Sequence, residues 1–179
     1  ARALVSVFLI GRGSEVKGDA AAKLAAYRKA GGTIREMMRG SDLATLDHAL
    51  ASADLVVDAL LGTGLTGQAA QLYASAIEAI NRHAKPVAAL DLPSGLASDH
   101  GRLLGPTVRA TLTTTFAGWK RALLLHPGAA RAGLVQLIDI GVPDSATREG
   151  ITVFLLDASD IRPLFPPREA DAHKGAFGH

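Results

Sequence analysis

Two acids, each closing a short apolar run, are the residues best placed to do chemistry in this chain. Asp58 ends the run Asp54-Leu55-Val56-Val57-Asp58, and Asp91 ends Val87-Ala88-Ala89-Leu90-Asp91. A glycine loop follows the first, Gly62-Thr63-Gly64-Leu65-Thr66-Gly67, and a tight turn follows the second, Leu92-Pro93-Ser94-Gly95. Runs of this length and composition are expected as strands of a parallel sheet, buried on both faces. Parallel strands bring their carboxyl ends to one edge, where open α/β sheets bind ligands, so both carboxylates should lie along it. Glycines at 62, 64 and 67 let peptide N–H groups approach an oxyanion, because no Cβ intervenes and positive φ is permitted. Asp58 and Asp91, with the Ser94 hydroxyl and loop carbonyls, make an oxygen-rich set suited to a hard cation.

Each feature also has a plainer reading. An acid at a strand end can simply cap the turn that follows, and βα turns use glycine for steric reasons alone. The loop is not a Walker A motif, since no Lys-Ser or Lys-Thr follows its glycines. A generic dinucleotide fold stays open, because Asp91 stands where an acid would hold a ribose. Ser94 follows Pro93 and so falls outside a Gly-x-Ser-x-Gly nucleophile elbow. His48, His83, His100, His126, His173 and His179 show no metal-ligand spacing, which leaves them to surface or core roles. Lys120 faces either a phosphate or the solvent.

The elements that must position these residues alternate. A strand over 3–10 is followed by a helix near 20–30, capped by Asp19 and showing Ala20, Leu24 and Tyr27 on one face. Gly31-Gly32 stops it, and an extended piece surrounds Thr33-Ile34. Ser41 caps a helix with the stripe Leu43, Leu46 and Leu50, leading to the strand at 54–58. A helix at about 69–84 carries Tyr73, Ile77, Ile80 and Ala84 on one side, and Pro86 marks the entry to the strand 87–91. This rhythm argues for right-handed βαβ crossovers and a mostly parallel sheet covered by helices, a Rossmann-like three-layer αβα sandwich. Further strands are expected at Thr111–Phe116, Ala122–Leu125, Leu134–Ile140 and Ile151–Leu156, with a loop from Gly128 to Gly133. The prolines of 157–167 give that stretch the character of a linker.

Composition limits the partners. The 179 residues suffice for one domain with a substantial core, and the formal charge of +2 is too small for a nucleic-acid surface. The absence of cysteine removes disulfides and thiolate chemistry and is compatible with a reducing cytoplasm, the expected location. No apolar run nears the ~20 residues that span a bilayer. Both ends, opening on Ala1 within two residues of a strand and closing on a Pro-, Gly- and His-rich tail, are expected to be internal to a longer chain.

Taken in order, four motifs resemble the NAD(P)H-hydrate epimerase family, the YjeF N-terminal type domain. They are Asp58-Ala59-Leu60-Leu61-Gly62-Thr63-Gly64-Leu65-Thr66-Gly67, Leu90-Asp91-Leu92-Pro93-Ser94-Gly95-Leu96, Thr115-Phe116-Ala117-Gly118-Trp119-Lys120 and Asp139-Ile140-Gly141-Val142-Pro143. The tail His173-Lys174-Gly175-Ala176-Phe177-Gly178-His179 is similar to the opening of the ribokinase-like, ADP-dependent NAD(P)H-hydrate dehydratase domain that follows the epimerase in bifunctional repair enzymes. The resemblance implies an epimerase-like domain over 1–150, a linker over 151–172 and the start of the dehydratase over 173–179. It implies interconversion of the R and S forms of hydrated NADH and NADPH, a potassium ion on Asp58 and Ser94, the dinucleotide on Gly62, Thr63, Gly64, Leu65, Thr66, Gly67 and Gln68, and Asp91 as the catalytic contact to the hydrated nicotinamide. ADP or ATP for the dehydratase and a homodimer are implied with it. The sequence departs from the family in having Gln68 where Pro is usual. Nor does it carry the earlier strand and Asn-Asn-Gly-Gly-Asp type loop that supply further contacts, so the 179 residues are not expected to be active alone. The competing readings are a nicotinamide-dependent dehydrogenase that uses Asp91 for ribose, and a dinucleotide-binding module without catalysis.

Overall fold

The computed structural model describes residues 3–143, 145–146, 150–165 and 175. The chain divides into two compact units, Ala1–Val142 and Pro143–His179. In the first, β1 (Val7–Ile10), α1 (Gly18–Lys29), β2 (Ile34–Met37), α2 (Leu43–Ser52), β3 (Val56–Asp58), α3 (Gln71–His83), β4 (Val87–Leu90), β5 (Leu112–Phe116), α4 (Ala129–Ala132) and β6 (Leu134–Ile138) follow in order. Every strand pair is parallel, so the chain crosses over between the strands of each pair, through a helix everywhere except between β4 and β5, where residues 91–111 make the crossover without one. The strands form two sheets, β1-β2 and β3-β4-β5-β6.

One core joins both sheets to α2 and α3. Ile10 and Met37 from the small sheet and Val87 from the large one meet Leu46 and Leu50 of α2 and Ile77 and Ile80 of α3. The predicted stripes of α2 and α3 therefore do face inward, although Ala84 lies past the end of α3 as its exposed left-handed cap, at φ 49°. A second core gathers Leu92, Leu96, Ala122, Leu123 and Ala132. Two strands give α1 little surface to cover, so none of its residues is buried and Ala20 is exposed.

Several local expectations are corrected. Residues 122–125 are not a strand: Arg121–Leu123 is a 3₁₀ turn that buries Ala122 and Leu123. The reason is topological, since β5 and β6 are parallel neighbours and the chain between them must cross over rather than add a strand. For the same reason 128–133 holds the helical turn α4 rather than a loop. Asp19 lies inside α1, whose cap is Lys17, and Ser41 lies within a short 3₁₀ turn ahead of α2. The cap that forms comes from Asp42, which accepts the N–H groups of Met38 at 2.7 Å and Arg39 at 3.0 Å. The strand ending in Asp58 is not buried on both faces: it lies at the edge of its sheet, with Val57 58% exposed.

In the second unit, 151–156 carry no strand and are exposed. Within the stretch read as a linker, Asp157 and Asp160 cap each other's backbone around the helical turn Ala158–Ile161. The dehydratase-like motif at 173–179 lies outside the described residues apart from Gly175.

Candidate functional site

β3 and β4 pair in register, Asp58 opposite Ala89, so Asp58 and Asp91 leave the sheet at the same edge two residues apart. From there the two carboxylates turn to different neighbours. Asp58 is 1% exposed and reaches across to the turn after β4. Its Oδ1 accepts the Ser94 hydroxyl at 2.6 Å and the Leu60 N–H at 3.3 Å, and its Oδ2 accepts the Ser94 N–H at 2.8 Å. Ser94 Oγ in turn accepts the Leu61 N–H at 2.9 Å and stands 3.2 Å from the Leu61 carbonyl oxygen. Burial pushes the Asp58 carboxyl above the ordinary carboxylate range, while the hydrogen bonds from Ser94 and Leu60 pull the other way.

Gly95 makes this turn possible. It sits at φ +94°, and a Cβ there would lie 2.2 Å from the Pro106 carbonyl oxygen. The close approach docks the 105–108 segment, where the Val108 N–H reaches the Ser94 carbonyl at 2.9 Å and Thr107 Oγ1 reaches that of Gly95 at 3.1 Å. Ser94 is thereby fixed by its own backbone as well as by its side chain.

Asp91 closes β4 in a different way. At φ +69° it is the middle residue of a γ-turn, with the Leu92 N–H on the Leu90 carbonyl at 2.9 Å. Ala117 repeats the device at the end of β5, at φ +62°, with the Gly118 N–H on the Phe116 carbonyl at 2.7 Å. Two adjacent strands thus end in left-handed residues, a conformation that costs a non-glycine residue on the order of 1–3 kcal/mol and collects at functional sites. The turns bring together Asp91 Oδ1, Thr115 Oγ1 at 3.2 Å, the Phe116 N–H at 3.2 Å and Lys120 Nζ at 2.5 Å. Lys120, expected to face a phosphate or the solvent, is bonded to Asp91 and to the Phe116 carbonyl. The signal was its place four residues after the end of a strand adjacent to β4, which becomes legible only once the strand order is known.

The glycine loop runs over the surface from 62 to 68, with Leu65 half-buried and the other residues exposed. None of Gly62, Gly64 and Gly67 has positive φ, and a Cβ on any of them would meet nothing within 4 Å. The fold itself thus makes no demand for glycine at these positions, which leaves free approach from outside as the property they share. Among the described residues no cluster of three or more His, Cys, Asp or Glu could hold a metal, so any cation here would rest on mixed oxygen donors. An open hollow of about 420 Å³, lined by Asn81, Arg109 and Arg131 among others, includes Pro106 and Thr107 of the segment docked on Gly95 but none of Asp58, Asp91, Ser94 or the 62–68 loop.

Comparison with known proteins bears on this arrangement. The family described as YjeF-related protein N-terminus matches residues 1–122. The bifunctional NAD(P)H-hydrate repair enzyme Nnr of Moorella thermoacetica is 43% identical over 175 residues, covering 97% of this chain and 33% of its own length. The NAD(P)H-hydrate epimerase of Pirellula staleyi is 37% identical over 145 residues, covering 81% of this chain and 64% of the relative. This chain spans about a third of the length of the bifunctional relatives it matches. Among solved structures, that of yeast ynu0, YNL200c, superposes with a TM-score of 0.63 at 16% identity, over 87% of this chain and 63% of that one, and so supports the α/β fold.

Proposed function

This chain belongs to the family of YjeF-related protein N-termini, and on that premise we propose that it is the epimerase part of a nicotinamide nucleotide repair enzyme, interconverting the R and S forms of hydrated NADH and NADPH. The observation that carries the reading is the pairing of β3 with β4, which sets Asp58 and Asp91 at one sheet edge beside the exposed glycine loop.

The chemistry asks for an acid–base group at the hydroxylated carbon of the nicotinamide ring. The ring nitrogen's electron pair forms a C=N bond as the C6–O bond breaks, and the hydroxyl leaves as water with a proton from Asp91. Water then adds to the other face, forming a new C6–O bond and returning a proton to Asp91. Acid–base assistance of this kind is worth about 10²–10⁴-fold. The loop Gly62 to Gln68 offers peptide N–H groups to the dinucleotide phosphates.

A potassium ion fits the other half of the site. The Asp58 carboxylate, the Ser94 hydroxyl and the Leu61 carbonyl form an all-oxygen donor set, and among the described residues no Lys, Arg or His pairs with the buried Asp58 carboxylate. When bound there, the ion supplies a fixed positive charge that holds the turn and orients the substrate. The full-length protein would add an ADP- or ATP-dependent dehydratase activity in the same polypeptide, as the name of the bifunctional relatives suggests.

The test is to give the full-length protein either pure form of hydrated NADH and follow the R to S ratio by chiral separation. Equilibration well above the uncatalysed rate, with a fall of about 10²-fold or more in Asp91→Asn, supports the reading. An unchanged rate in Asp91→Asn removes Asp91 from it. A change at the reduced-nicotinamide absorbance band with an alcohol substrate would instead mark a dehydrogenase.

A further inference from the structure

We propose that Lys120 is a positioning residue for this reaction, holding Oδ1 of Asp91 so that Oδ2 is the oxygen that exchanges the proton with the substrate. The proposal rests on the functional reading above and deepens it.

The hydrogen bonds on Asp91 are one-sided. Oδ1 accepts from Thr115 Oγ1, the Phe116 N–H and Lys120 Nζ. Among the described residues Oδ2 has no hydrogen-bond partner. No buried side-chain polar atom there lacks one either, so Oδ2 reaches solvent. Left alone, an aspartate turns freely about its last torsion and presents either oxygen. Three donors on one oxygen remove that freedom.

Lys120 is itself tethered. Its Nζ donates to the Phe116 carbonyl at 2.7 Å as well as to Asp91, and its side chain is only 18% exposed. A lysine that served a substrate phosphate or the solvent would not be committed to two acceptors of its own fold. The two γ-turns explain the geometry: Asp91 and Ala117 reverse the chain at the ends of adjacent strands, and the second reversal returns Lys120 over the first. Both turns sit at positive φ, so the fold spends backbone strain at the place where it fixes this carboxylate.

A positioned acid–base group loses rate when it drifts, by as much as about 10²-fold for 1 Å. In the full-length protein, Lys120→Met is expected to lower kcat for the R to S interconversion by about 10- to 100-fold, with KM within about twofold. Thr115→Val removes a second donor from the same oxygen with little change of shape. It is expected to lower kcat by about 3- to 10-fold, again with KM unchanged, and it carries the test if Lys120→Met does not fold. A raised KM with unchanged kcat in Lys120→Met would make Lys120 a phosphate contact and overturn the proposal, as would wild-type kcat in both variants. A wild-type protein that leaves the two forms unequilibrated overturns the epimerase reading and this proposal with it. That outcome is distinct, because it needs no variant.

Discussion

Asp58 and Asp91 stand two register positions apart at the ends of neighbouring strands, and their surroundings give them opposite work. Every oxygen of Asp58 is occupied by donors from Ser94 and Leu60 in a buried setting, which suits a structural or ion-holding group. Asp91 keeps one oxygen open to solvent beside an ammonium, which suits proton exchange. The glycines between them carry a separate prediction. Since Gly64 has ordinary φ and open space where a Cβ would stand, Gly64→Val is expected to leave the melting temperature essentially unchanged. The branched side chain would nevertheless block close approach of a phosphate to the loop. Full-length Gly64→Val is therefore expected to raise KM for hydrated NADH by about tenfold or more while kcat changes little. An unaltered KM would show that the loop does not hold the dinucleotide.

At the scale of elements, Asp42 joins β2 to α2 by accepting the N–H groups of Met38 and Arg39. Those two hydrogen bonds hold its carboxyl below the ordinary carboxylate range. A depressed acid stabilises the folded state above its unfolded pKa, and the contribution is lost as pH falls through the folded value. Asp42→Asn is thus expected to melt below the wild type at pH 7, with the gap closing as pH falls through and below about 4. A gap that persists in acid would mean that the side-chain shape, not its charge, holds the junction. This cap also shows what the sequence could and could not reveal. Asp19, Ser41 and Asp42 are all plausible caps by type, and only the backbone path decides which side chain reaches back. The apolar run 122–125 has the composition of a strand, but the crossover between parallel β5 and β6 claims it. By contrast, helices with Leu46, Leu50, Ile77 and Ile80 in their stripes are legible because burial acts on the period of the pattern itself, whereas the strand that closes on Asp58 is legible as a short apolar run although Val57 is exposed. The acids at the ends of β3 and β4 follow from the apolar runs that they close. The link from Asp91 to Lys120 was not, because it spans two strands whose adjacency no local pattern encodes.

Across the first unit, the broken sheet is the largest departure from a continuous Rossmann-like arrangement. Among the described residues β1 and β3 each pair on one side alone, yet both sheets share the core beneath α2 and α3. β3 bonds to its neighbour through the Val56 N–H on the Pro86 carbonyl at 2.9 Å. In a parallel strand the next residue's peptide groups point the other way, so the Val57 N–H faces the free edge. Val57 and Leu55 are also 58% and 55% exposed, an apolar edge of the kind that soluble proteins cover or pair. An additional parallel strand, such as the earlier one that the family resemblance implies, would pair with this edge and bring its own loop to Asp58 and Asp91. Hydrogen exchange at the Val57 amide measures the idea directly. A protein extended at its amino end with the parent sequence is expected to exchange that amide at least about tenfold more slowly than residues 1–179, while buried Ala89 of β4 stays protected in both. Equal exchange at Val57 in the two proteins would show that the edge stays open, and that the remaining contacts of the site must come from another direction.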